Sequence, residues 1–180
     1  MKLFKKLAAA VLAAALALTM AGCGGNSYAV QDELLKITID NLTDVNETVT
    51  HTKKADEMAA ALLVAADTAA AQEANNGKDA EDLLLDPAVI KAAGIDLEKT
   101  PCMFNPIVNV QIKSSGVVGE FLKTQRMMEA AGLYRFVRPG TGAFDPGDNK
   151  VEIGAATHKI GDENYILILL TYTKTTPSKI

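Results

Sequence analysis

The stretch that decides the fold is Lys150–Lys174, KVEIGAATHKIGDENYILILLTYTK. Two β-prone runs flank Gly161-Asp162-Glu163-Asn164, a turn sequence, and this pattern predicts an antiparallel hairpin. In the first run Val151, Ile153, Ala155 and Thr157 alternate with more variable positions, the period of a strand. The second is different: Ile166 to Leu170 is apolar at every position. A strand with no polar face must be covered on both sides, so it belongs in the middle of a sheet with helices packed on it. The expected fold class is therefore α+β, with several helices packed on a small antiparallel sheet that ends in this C-terminal hairpin.

The helices lie upstream. Lys53–Ala74 is alanine-rich and free of Gly and Pro, the composition with the best helix propensity. Met58, Leu62, Ala65, Ala66 and Ala69 form its expected apolar stripe, and Asp56, Glu57, Asp67 and Glu73 its expected wet side. Asn75-Asn76-Gly77 should end it. Lys78–Pro101 reads as two short helices, with Asp86 as an N-cap, Pro87 in the first turn and Gly94 as a stop. Val30–Leu42 mixes helix formers with β-branched residues and reads as a helix, with a strand as the alternative. TDVNETVTHT (residues 43–52) is polar and reads as a loop. A strand is expected through Ile107, Val108, Val110 and Ile112, bounded by Pro106 and Gly116. GVVGEFLKTQRMMEAAGL (residues 116–133) reads as a further helix capped at Gly132.

The N-terminus carries an address. Lys2, Lys5 and Lys6 precede a fourteen-residue apolar run, Leu7–Met20. A membrane-spanning helix needs roughly 20 apolar residues, so this run suits the core of a signal peptide. It ends in Met20-Ala21-Gly22-Cys23, which resembles the recognition box of bacterial lipoprotein signal peptides, with Met20 in place of the usual leucine. That resemblance implies cleavage between Gly22 and Cys23 and a diacylglyceryl group on the Cys23 sulfur. It covers about the first 25 residues. Two or more acyl chains give stable anchoring where one binds marginally. The implied organisation is a signal peptide over residues 1–22, a lipidated tether over 23–30 and a single α+β domain over 31–176. Gly24-Gly25-Asn26-Ser27 is the flexible part of that tether. The implied location is the extracytoplasmic face of a cell membrane or envelope, with lipid on Cys23 as the link to the membrane.

Removal of residues 1–22 takes away three lysines and no acid, leaving fifteen basic against twenty-two acidic side chains. Such a domain is a poor nucleic-acid binder, because phosphate recognition requires basic clusters. Anionic headgroups would repel it, so the lipid rather than charge would hold it to a membrane. With Cys23 lipidated, Cys102 has no intrachain partner, which excludes a disulfide framework.

Signatures of common chemistry are missing from the sequence. There is no phosphate-cradling glycine-rich loop with its lysine, and no HExxH, CxxC or GxSxG. The chain has no tryptophan and two histidines, His51 and His158. Cys102 reads as a small apolar residue, and as a nucleophile only if a histidine is folded beside it. His158 reads as an exposed hairpin residue, and His51 as part of a polar loop. Asp145, Asp148, Asn149 and Glu152 surround Pro146-Gly147, a turn sequence whose spacing departs from that of a calcium loop. No catalytic residue, metal ligand or cofactor is expected from the sequence.

FLKTQRMMEAAGLYRF followed by VEIGAATHKIGDENYILILLTY is similar to the end of bacterial CAP domains, the superfamily of cysteine-rich secretory and pathogenesis-related proteins. Lys53–Ala74 would correspond to the first long helix of that family. The family's cleft uses two histidines with acidic partners, whereas this chain has Gln125, Arg126 and Met127 where one histidine is expected. The resemblance therefore implies a fold whose metal-binding tetrad is lost, and it carries no site residue over. The functional expectation is an anchored envelope lipoprotein with a non-enzymatic binding or accessory domain. Its ligand or envelope partner is not identified by the sequence. The alternatives are an extracytoplasmic enzyme, built from Cys102, His158 and the 145–152 acids, and a structural subunit of an envelope complex.

Overall fold

Ile166, Leu167, Ile168 and Leu169 are fully buried, and the strand that carries them organises both cores. The computed structural model describes residues 26–44, 48–72, 75–108, 136–140 and 144–174. Their elements, in chain order, are α1 (Asn26–Asp44), β1 (Val49–His51), α2 (Lys53–Ala70), α3 (Ala80–Leu85), α4 (Pro87–Ala92), β2 (Cys102–Val108), β3 (Val151–Ile160) and β4 (Glu163–Thr171). The sheet order is β1-β3-β4-β2, which puts the all-apolar strand inside. Its odd residues, including Leu167 and Leu169, face α2, α3 and α4; its even residues Ile166, Ile168 and Leu170 face α1. Full burial of one such side chain is worth about 1.5–3 kcal/mol, so β4 is the largest single source of apolar stabilisation in the sheet.

The fold is α+β as expected, but the sheet is mixed. β3 pairs with β4 and β4 with β2 antiparallel, while β1 joins β3 in parallel, with Val49 opposite Val151 and His51 opposite Ile153. Threonine-rich TDVNETVTHT, expected as a loop, supplies this edge strand. Three residues of weak pattern (Val49, Thr50 and His51) are too few to show a period. α1 is a helix, as its helix-forming residues favoured. It begins at Asn26, inside the stretch expected as a flexible tether.

β2 starts earlier than expected, at Cys102, and runs through Pro106. The proline is tolerated because β2 is an edge strand. Two residues before it, Phe104 directs both its N–H and its C=O away from β4, to Val137 (2.9 and 2.8 Å). Pro106 has the same alternation, so its missing donor removes no bond to β4. The expected strand positions Val110 and Ile112, and the expected helix over 116–133, lie outside the described residues.

Two short helices follow α2, as the sequence indicates. Asp86 caps α4 by accepting from Ala88 N–H at 2.8 Å, and Pro87 occupies the first turn. That bond, with help from Lys78, holds the Asp86 carboxyl below its ordinary range. Gly94 ends α4 in the left-handed region at φ 79°.

The α2 seam keeps Leu62, Ala65, Ala66 and Ala69 of the expected stripe buried and widens to take in Ala55, Ala59 and Leu63, while Met58 sits at the flank. The reason is the surface α2 packs on. β3 presents Gly154 and Ala156 to it, and His51, Thr52 and Lys53 pass from strand to helix without an intervening loop. Thr52 is at once the last link to β3, donating its N–H to Ile153 O at 3.0 Å, and the helix N-cap, accepting from Ala55 N–H at 3.2 Å. The first helical turn is thereby pressed onto Gly154. A Cβ there would lie 2.7 Å from Ala55 Cβ and would overlap the Ala55 carbonyl carbon and the Asp56 nitrogen. Because the obstruction is backbone, it cannot rotate away. Gly154→Ala should therefore destabilise the domain by about 3 kcal/mol, the upper end of overpacking costs. Urea unfolding should show a lowered midpoint at unchanged slope; a midpoint within error of wild type would remove the claim.

Candidate functional site

Where β1 stops, no further strand among the described residues pairs with that edge of β3, and polar side chains gather there. Asp56 is the fourth residue of α2, placed by the abrupt strand-to-helix passage directly beside that edge. Its Oδ1 accepts from Ala155 N–H at 2.8 Å, in the position a fourth β1 residue would have filled. From the opposite face, α1 extends Gln31, whose Nε2 donates to Ala155 O at 3.2 Å. Gln31 Oε1 in turn accepts from Thr157 Oγ1 at 2.8 Å. Both backbone groups of Ala155 are thus satisfied by side chains from two helices on opposite faces. Burying them unpaired would cost about 1–3 kcal/mol per group.

The same carboxylate holds His51. Nε2 of His51 lies 3.0 Å from both Oδ1 and Oδ2 of Asp56. His51 is about half exposed, at 47%, against 29% for Asp56, so the pair sits at the mouth of the cluster. Beside it Lys54 approaches Glu152 Oε2 at 3.7 Å and donates to Thr173 Oγ1 at 3.2 Å. Glu152 Oε2 is itself buried and accepts no hydrogen bond, so the Lys54 ammonium is its compensating charge. At the far end of β3, Asp67 accepts from Gly161 N–H at 3.0 Å and lies 3.7 Å from His158 Nε2. Asp56 and Asp67, expected on the wet side of α2, both serve the edges of β3. Their helical periodicity is that of solvated acids, and only the tertiary approach of α2 shows otherwise.

The structure separates the residues that an enzyme was expected to need. Cys102 lies opposite Thr171 on β4 and His158 opposite Tyr165. Those positions are six residues apart along one strand, about 20 Å at ~3.3 Å per residue, far outside hydrogen-bond reach. Cys102 is buried at 2% exposure, and burial pushes its thiol up to about 12, so it remains protonated in the native state. It packs as an apolar residue in the core that the sheet shares with α2, α3 and α4. Each histidine lies beside an acid of α2, His158 beside Asp67 and His51 beside Asp56. In the 145–152 turn, Asp145 Oδ1 accepts from Gly147 N–H at 3.0 Å and Asn149 Nδ2 donates to Pro146 O at 2.8 Å, the bonding of an ordinary turn. Asp148 has no described role there.

Among the described residues, Tyr165 is the one other strongly shifted group. Burial and its 2.7 Å bond to Glu163 push the phenol up to about 12. Among the described residues, no group of three or more His, Cys, Asp or Glu could hold a metal ion, and no helix is long and apolar enough to cross a membrane. Met20 to Cys23, with the cleavage residue Gly22 and the lipidation residue Cys23, lie outside the described residues. So do Gln125, Arg126 and Met127. No family model, curated protein or solved structure matches this chain.

What the assembled cluster does is seal a sheet edge, with Asp56 as its centre. Asp56→Ala should cost about 1–3 kcal/mol through the orphaned Ala155 N–H. Asp56→Asn should cost less because it keeps an acceptor oxygen, and His51→Ala least because that pair is open to solvent. Urea titrations of the three variants should give this order. A His51→Ala loss exceeding that of Asp56→Ala would mean that the acid serves the histidine and not the strand.

Proposed function

We propose that this chain is a lipoprotein of the cell envelope, held on the extracytoplasmic face by lipid on Cys23, whose α+β domain is a non-enzymatic binding or accessory module. The single observation that carries the reading is Cys23 itself, set behind Met20-Ala21-Gly22 at the end of a lysine-tipped apolar run. An acidic domain joined to that leader is kept at a membrane by acyl chains, since charge opposes the approach.

The arrangement of polar and ionisable groups supports an accessory role. Asp56, Asp67 and Gln31 are engaged with backbone groups of β3 and its turn, and Cys102 is sealed in the core. An enzyme using Cys102 and His158 as nucleophile and base is incompatible with their places on the sheet.

Labelling of growing cells with radioactive palmitate tests the anchor. The wild-type chain should incorporate label and sediment with membranes, and Cys23→Ala should lose both properties. Equal labelling of the two chains would overturn the reading.

A further inference from the structure

α1 connects the lipidated cysteine to the sheet, and its course determines which end of the domain the lipid can bring to the bilayer. Gln31 bonds to Ala155 and Thr157, midway along β3. The C-terminus of α1 leads within a few residues to Val49, which stands opposite Val151 at the start of β3. α1 therefore runs antiparallel to β3, and its N-terminus points toward the β3–β4 turn at Gly161-Asp162. From Gln31 back to Asn26 the helix advances about 7.5 Å. The three residues from Asn26 to Cys23 add at most about 10 Å of extended chain. Together they allow a reach of up to about 17.5 Å, enough to cover the distance from Thr157 to the hairpin tip, about 13 Å at the rise of a strand.

Resting on the proposed lipid anchor, we infer that the domain stands end-on, with the β3–β4 turn against the lipid surface and the α2 N-terminus facing away. In this pose the membrane-proximal end presents Asp67, Asp79, Asp162 and Glu163 against Lys78 and Lys159. Asp67 is bonded to the turn itself, and Asp79 lies close enough to Tyr165 to act on its phenol. Anionic headgroups repel such an end, so it touches the bilayer only as closely as the acyl chains hold it. The end that faces outward carries His51, Lys54, Asp56 and Glu152.

A side-lying pose is disfavoured by the outer face of α1. Its exposed positions are Asp32, Lys36, Asp40 and Thr43. An interfacial helix needs an apolar face for the acyl boundary and a basic one for the headgroups. This face supplies neither. The buried face, with Leu34, Leu35 and Leu42, is already occupied by the sheet.

The test uses the full lipidated chain reconstituted in vesicles that contain a headgroup-linked quencher. Asp162→Cys and Thr50→Cys place fluorophores at opposite ends of β3, separated by about 30 Å along the strand. The native Cys102 stays unlabelled because it is buried and its thiol is held protonated. Quenching should be several-fold stronger at position 162 than at position 50. Equal or reversed quenching in protein that still incorporates palmitate overturns the orientation and leaves the anchor intact. Loss of palmitate from the wild type, or its retention in Cys23→Ala, overturns the anchor itself.

Discussion

The first turn of α2 rests on the backbone of β3 at Gly154, and the rest of the domain is arranged around that contact. The chain leaves β1 and enters α2 through a single capping residue, Thr52, so the same segment follows β3 first as a strand and then as a helix. A helix that begins this close to a sheet needs small residues on both surfaces. It finds them in Ala55 and Ala59 on one side and Gly154 and Ala156 on the other. Close approach also brings Asp56 to the Ala155 N–H. Steric fit and polar satisfaction are here one event, because moving α2 outward would free the glycine and strand the amide together.

This contact answers a problem created by β1. A three-residue edge strand cannot pair with the ten residues of β3, and an uncovered edge is open to pairing with other chains. Asp56 and Gln31 take over at Ala155, and Asp67 closes the turn at Gly161. The far side of the sheet is treated differently. β2 ends the sheet with Pro106 directed outward and with Val137 bridged to Phe104. Among the described residues, both edges are thus covered by groups other than a further strand of the central ladder.

Much of this architecture was legible because its signals are local. An unbroken apolar run announces an interior strand, Asp86-Pro87 announces a helix start, and an alanine-rich stretch without Gly or Pro announces a helix. The parts that were not legible depend on tertiary placement. β1 is too short for a period to register. Pro106 reads as a boundary until the alternation of β2 shows that its nitrogen points away from β4. Asp56 has the spacing of a solvated acid, and nothing in its neighbours reveals an unpaired amide ninety-nine residues away. Gly154 in GAATHK could equally mark a bulge or a turn; its role becomes evident only from the helix above it. The polar cluster around His51 was missed for the same reason. Its members come from β1, α2, β3 and the segment after β4.

The central claim is that α2 supplies the missing edge partner of β3 and locks the sheet in place. Native-state hydrogen exchange of the Ala155 amide tests it most directly. Bonded to Asp56, Ala155 should be as well protected as amides of the β3–β4 ladder and should exchange only through global unfolding. Exchange at the rate of an exposed edge amide, with the ladder still protected, would contradict the account.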